Sequence, residues 1–206
     1  MTGDADDGGT GEDSRERLAD RRGVERAVYP PSEDSGLLAG AAVDAVEPDW
    51  RVLEVGTGSG WVAEKVRETT GAEVLGSDLN PVACEQARER GVPAVRANLV
   101  DPFEASVFDA VLFNPPYLPT PEGAEWDDWM ERALSGGESG RDVVDPFLAR
   151  VGRVLAPDGV VLLLVSSLTD VDAVREQATA EGFTAEEVAE ESYPAERLVV
   201  LRLAAH

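Results

Sequence analysis

The sequence is short of several residue types, and each shortage narrows what the protein can be. Its one cysteine, Cys84, excludes an internal disulfide and any cysteine-built zinc site within the chain. Lys65 is the only lysine, and no Lys/Arg cluster of useful size occurs, which argues against a basic face for nucleic acid. No apolar run reaches the ~18 residues that a membrane span needs. The opening stretch, MTGDADDGGTGEDS, is acidic where a secretory signal would be basic and then apolar. The single histidine, His206, is the last residue and reads as a bystander. These absences predict a soluble, cytoplasmic protein.

What the chain has in excess is acid. Its 41 acidic residues against 18 basic ones leave a net charge of −23, and nearly all the basic residues are arginine. On a globular pattern, this balance predicts adaptation to very high salt, where the Debye length shrinks to about 3 Å at 1 M and self-repulsion becomes tolerable. A hydrophobic fraction of 43% over 206 residues is enough for one domain with a real core. Residues 1–24 have almost nothing to bury and are expected to be a disordered acidic tail, leaving 25–206 as the folded domain.

From Val28 onward the pattern turns globular. Ser35 is a candidate N-cap for a helix whose apolar face is Leu37, Leu38, Ala41, Ala42 and Ala45. Strands and helices then alternate. RVLEV at 51–55 and AEVLGSD at 72–78 are strands, with a helix from Gly60 between them, and Pro81 opens the next helix. Short strands follow at 92–97 and 108–113, then a helix at 143–155, a fully apolar strand at 159–167 and a helix from Val171. Segments 183–192 and 196–204 close the fold. The alternation predicts an α/β domain with a doubly wound, mostly parallel, seven-stranded sheet whose last strand is antiparallel, and with ligands at the strands' carboxyl ends.

Four strand ends carry chemistry. In EVGTGSGW, glycines allow close backbone approach and a helix start offers free N–H groups. A dinucleotide fingerprint beginning at Gly56 and Gly58 needs a third glycine at position 61, which is Trp61, and no phosphate-loop lysine follows. Glu54, just before the glycines, would repel a pyrophosphate but attract an amino group or a sulfonium, so a cationic nucleoside fits better than a phosphorylated one. Asp78 ends the second strand, where a carboxylate can accept from both ribose hydroxyls or cap the next helix. Asn98 and Leu99 end the third and can face an adenine edge and ring.

The fourth strand runs into Asn114-Pro115-Pro116-Tyr117. Prolines cannot donate to a ladder and push the preceding residue out of helix, so the strand stops in a stiff corner that presents the Asn114 amide.

This succession, Glu54, Gly56, Asp78, Asn98 and Asn114-Pro-Pro-Tyr117, resembles the class I S-adenosylmethionine-dependent methyltransferases, and its tetrapeptide resembles those that methylate planar nitrogen. Two further stretches are similar to the HemK-related glutamine methyltransferases of the archaeal and eukaryotic release-factor type. One is Tyr29, Pro31, Glu33, Asp34 and Ser35. The other is Gly136, Gly137, Gly140 and Arg141. The resemblance implies S-adenosyl-L-methionine as cofactor, contacted by Ser35, Glu54, Gly56, Gly58, Asp78, Asn98 and Leu99. It makes Asn114, Pro115 and Tyr117 the catalytic residues, the Asn114 side-chain oxygen and the Pro115 carbonyl accepting from the N–H groups of a planar nitrogen and favouring the charge that develops as it is alkylated, with Asn114 and Tyr117 binding substrate, and it assigns no metal to this chain.

The implied substrate is a protein glutamine in the Gly-Gly-Gln loop of the translation release factor. The implied partner is a small zinc-binding activator subunit that adds a strand to a sheet edge. An adenine-N6 methyltransferase is the alternative, weakened by the charge and by the lack of a target-recognition domain. Two departures stand out: Asn98 replaces the usual Asp, and an acidic insert follows the tetrapeptide, whose Trp126 and Trp129 could line a lid or merely pack, packing being the favoured reading.

Overall fold

The structure, a computed structural model, describes residues 28–120 and 129–205. The expected tail and Trp126 lie outside the described residues.

The first helix, α1 (Glu33–Ala45), starts one turn earlier than expected. Ser32 is its N-cap, and Ser35 sits at N3 with its hydroxyl accepting from the Ser32 N–H at 3.5 Å. The proposed N-cap is thus the reciprocal half of a capping box. Then β1 (Arg51–Val55), α2 (Trp61–Thr70), β2 (Glu73–Asp78), α3 (Pro81–Glu89), β3 (Ala94–Arg96) and β4 (Phe108–Phe113) follow the predicted alternation. Pro81 does open α3, and Asn80 caps it by accepting from the Val82 N–H at 2.9 Å. A one-turn helix, α4 (Trp129–Arg132), precedes α5 (Val144–Val151), β5 (Leu155–Ser166), α6 (Val171–Ala180), β6 (Phe183–Tyr193) and β7 (Glu196–Ala205).

The helix expected over 143–155 therefore ends at Val151. Gly152 and a turn lead into β5, which pairs Leu155 with Phe108 before its register shifts and resumes at Val160 opposite Ala110. Pro157 and Asp158 look like a break in the sequence and suggest a shorter strand, whereas the sheet absorbs them at an irregularity.

One seven-stranded sheet runs in the order β3-β2-β1-β4-β5-β7-β6. β1 to β5 run parallel to one another, and β7 is antiparallel to both β5 and β6. The period of two along β4 explains how both faces are covered. Ala110 and Leu112 join Leu38, Val62, Val66 and Ala87 beneath α1, α2 and α3, while Val111 and Phe113 join Phe147, Leu148 and Val174 beneath α5 and α6. Chain order reverses between β1 and β4, so the crevice beyond their carboxyl ends is the topological switch point. No helix among the described residues is long and apolar enough to cross a membrane.

Candidate active site

Parallel register brings the strand ends level. Val55 lies opposite both Ser77 and Phe113, and Asp78 lies opposite Arg96. Above them is a cavity of about 490 Å³, lined by every residue expected to bind cofactor or substrate, whereas Glu33, Gly136, Gly137, Gly140 and Arg141 lie outside its lining. Glu54, Gly56 and Gly58 come from the β1 exit, Asp78 from β2, Asn98 and Leu99 from β3, and Asn114, Pro115 and Tyr117 from β4. Ser35, from the start of α1, closes one side.

Gly56 turns the chain out of β1 at φ 63°, and a Cβ there would sit 3.4 Å from the Phe113 ring. Such a backbone favours glycine, while a Cβ there would only touch the Phe113 ring. Glu54 beneath it is buried. Its Oε2 accepts from the Thr57 hydroxyl at 2.5 Å and from the Ala63 N–H at 3.1 Å, so the carboxyl ties the glycine loop to the first turn of α2. Burial, outweighing those two hydrogen bonds, raises its pKa from 4.5 to about 8. Thr57 was not anticipated, because nothing in a glycine-rich turn announces which hydroxyl will brace the acid below it.

Asp78 accepts from the Asn80 N–H at 2.8 Å through Oδ1 and from the Gly58 N–H at 3.0 Å through Oδ2. Burial raises its pKa as well. An ionised carboxylate has about four lone-pair sites, so two remain for ligand hydroxyls. Capping α3 falls to Asn80, which leaves Asp78 facing the cavity. Cys84 packs in α3 behind it, buried, with its Sγ 3.6 Å from the Asp78 carbonyl. Leu99 takes φ 48°, which for a non-glycine is a strained conformation held at the cavity wall.

The Asn114 side-chain oxygen is buried and has no hydrogen-bond partner. Leaving an acceptor this way costs about 1–3 kcal/mol, and a native site keeps such a cost where a donor is meant to arrive. The loop around it is clamped by the glycine segment. Leu118 N–H donates to the Leu134 carbonyl and Gly136 N–H donates to the Leu118 carbonyl, both at 2.9 Å. Gly140, at φ 74°, passes so close that a Cβ would lie 2.8 Å from the Tyr117 carbonyl oxygen. Arg141 then donates to the Thr169 carbonyl at 2.9 Å, anchoring the clamp to the 3-10 turn Ser167–Thr169 that follows β5. Trp129 lines the cavity and carries Arg132 5.4 Å from its ring centroid, so the tryptophan read as a packing residue is a wall of the site.

This geometry can be set beside known proteins. A profile described as a methyltransferase domain matches residues 52–137. A Methanocaldococcus jannaschii protein assigned by name as a protein N5-glutamine methyltransferase is 36% identical over 179 residues, 84% of this chain and 90% of that one. The chain belongs to the protein N5-glutamine methyltransferase family. Human methyltransferase HEMK2 is 34% identical over 157 residues, covering 69% of this chain and 73% of its own length. The E. cuniculi structure of Mtq2 with Trm112, responsible for methylation of the eRF1 translation termination factor, matches with a TM-score of 0.73 at 26% identity. It covers 87% of this chain and 99% of that one. As a member of this family the protein is an S-adenosylmethionine-dependent methyltransferase, with the expected Rossmann-like sheet.

Proposed function

We propose that this methyltransferase modifies the side-chain amide nitrogen of the glutamine in the Gly-Gly-Gln loop of the translation release factor. The observation that carries the reading is the orphaned, buried Asn114 oxygen at the end of β4.

The cavity fits the methyl donor. Gly56 and Gly58 let the backbone approach it, Asp78 keeps two acceptor sites for its ribose, and Asn98 and Leu99 border the adenine side. Glu54, pushed toward its neutral form by burial, regains a favourable ionised state when a cationic group comes beside it. Ser35 closes that end. When bound, S-adenosylmethionine supplies a methyl carbon activated by its positive sulfur.

The chain's own part is to receive a flat NH2 group. Asn114 Oδ1 accepts one N–H and the Pro115 carbonyl the other, which turns the nitrogen's lone pair out of conjugation and toward the methyl carbon. Both oxygens then stabilise the positive charge on that nitrogen, and its surplus proton leaves to water. Pro115 and Pro116 keep the acceptors from swinging, and Tyr117 packs on the amide plane. No residue of the loop acts as a base, which is why a cationic lysine is a poor acceptor here.

The two sheet edges differ in what they offer an activator subunit. β6 carries Glu186, Glu187, Glu190 and Glu191, an irregularity after Glu187, and ion pairs from Arg175 and Arg197, all of which discourage strand addition. β3 is short, and Val95 on it is 40% exposed, as is Leu79 beside it at 43%. A small zinc-binding partner that adds its strand along β3 would cover both.

Labelled cofactor, offered with and without that activator against release factor, its Gln-substituted form and DNA, tests the proposal. Label on release factor that vanishes with the glutamine supports it; label on DNA alone selects the adenine-N6 reading. Asn114→Ala should lower turnover by about 100-fold or more while cofactor affinity stays near wild type. Normal turnover in that variant would remove the role given to Asn114.

A further inference from the structure

The cavity, about 490 Å³, has the size of a small-molecule site, so a folded protein acceptor can send one side chain into it while its body stays outside on the rim. Part of that rim is apolar. Among the described residues, Leu79, Val95, Leu118, Leu168 and Val188 are the exposed large hydrophobic side chains, and two of them flank the active-site loop. β4 and β5 are parallel neighbours with Phe113 opposite Leu163. Leu118 and Leu168 each follow by five residues, so both leave the carboxyl edge of the sheet, where the cavity lies. Gly140 joins the two exits. A Cβ on it would lie 2.8 Å from the Tyr117 carbonyl oxygen and 2.7 Å from Thr169 Cγ2, atoms of the residues next to each leucine. Leu118 lines the cavity and is 37% exposed, whereas Leu168 lies outside the lining and is 43% exposed.

Neither leucine is exposed through a loose backbone. The N–H and carbonyl of Leu118 are both bonded, to the Leu134 carbonyl and the Gly136 N–H, at 2.9 Å. In the turn Ser167–Thr169, Leu168 N–H donates to the Ser166 hydroxyl at 3.1 Å, and that hydroxyl donates to Glu196 at 2.5 Å. The Thr169 hydroxyl donates to the Ser166 carbonyl at 2.7 Å, and the Ser167 hydroxyl accepts from the Arg197 N–H at 2.9 Å. Arg141 holds the Thr169 carbonyl. A single exposed leucine needs no account, but two fixed on braced turns beside the mouth of a site make a patch whose exposure a partner would relieve. We propose that Leu118 and Leu168 form an apolar docking rim for the protein acceptor, taking apolar side chains of its surface beside the glutamine while the glutamine enters the cavity. The inference rests on the reading that the acceptor is a glutamine of the release factor.

Leu168 is the position to change, because it stands outside the cavity. Leu168→Ser, Leu168→Met and Val188→Ser, the last a control of similar exposure midway along β6, are assayed with the activator present. The acceptors are release factor, its Gln-substituted form and a short peptide carrying only the Gly-Gly-Gln loop. Leu168→Ser should raise KM for release factor about tenfold, with kcat, cofactor Kd and KM for the peptide within about twofold of wild type. Leu168→Met keeps the apolar area and should stay near the wild-type KM, as should Val188→Ser. Melting midpoints should remain within about 2 °C of wild type, as expected for surface changes.

An unchanged KM for release factor in Leu168→Ser would overturn the docking rim. So would an equal rise with the peptide, an equal rise from Val188→Ser, or a Met variant as poor as the Ser one. The wild-type protein separates the two readings. If it labels release factor only when the glutamine is present, and Leu168→Ser keeps the same KM, the rim alone fails. If it leaves release factor unlabelled, the acceptor assignment fails, and the rim falls with it.

Discussion

Glu54 shows how one buried acid can serve a loop and a ligand at once. Unfolded, its carboxyl loses a proton near 4.5; folded, burial keeps the proton on until about pH 8. Folding therefore takes up a proton between those values, so stability falls as pH rises through that window. Asp78, raised by burial too, acts in the same direction above 3.8. Glu54→Gln keeps an oxygen for Thr57 and Ala63 and removes the titration. The variant's melting midpoint should gain on wild type steadily from about pH 5 to about pH 8. A difference that does not change with pH would mean that Glu54 carries its charge inside the fold.

At the level of elements, the glycine segment after α4 is a clamp, and the clamp can be tested against a neutral site. Gly140 and Gly71 both have positive φ, 74° and 82°. A Cβ on Gly140 would strike Thr169 Cγ2 at 2.7 Å and the Tyr117 carbonyl at 2.8 Å, whereas one on Gly71 meets nothing within 4 Å. Gly71→Ala should cost only the backbone strain, about 1 kcal/mol. Gly140→Ala should cost about 2 kcal/mol more and lower kcat by about tenfold or more, since the loop bearing Asn114 has to move. Equal melting temperatures and equal turnover for the two variants would show that the segment does not brace the loop.

Across the whole molecule, a net charge of −23 on 206 residues is a large self-repulsion. We propose that the fold is adapted to high salt. Raising ionic strength from 0.1 M to 1 M shortens the Debye length from about 10 Å to about 3 Å, so the melting midpoint should climb over that range in KCl. A midpoint that is flat or falls would count against the adaptation. The Arg175, Arg197, Glu187 and Glu190 cluster, with contacts of 2.5 to 2.9 Å, sits at the surface of β6 and adds little by comparison, because exposed pairs are worth about 1 kcal/mol or less.

Local patterns by themselves determined the alternation of strands and helices, the glycine turn at Gly56, the acid at Asp78 and the stiff corner at Asn114, because each is written in a short run of residue types whose backbone preferences are strong. The boundaries read less well: the helix after Val144 stops early and β5 begins at Leu155, since pairing with Phe108 outweighs the breaker signal of Pro157. Only the tertiary structure decided that Gly58 donates to Asp78, that Trp129 walls the cavity and that Arg141 reaches the Thr169 carbonyl. Those contacts join residues that the chain keeps apart, 28 positions in the last case, and their partners are chosen by the register of the sheet and the packing of its helices rather than by any local preference.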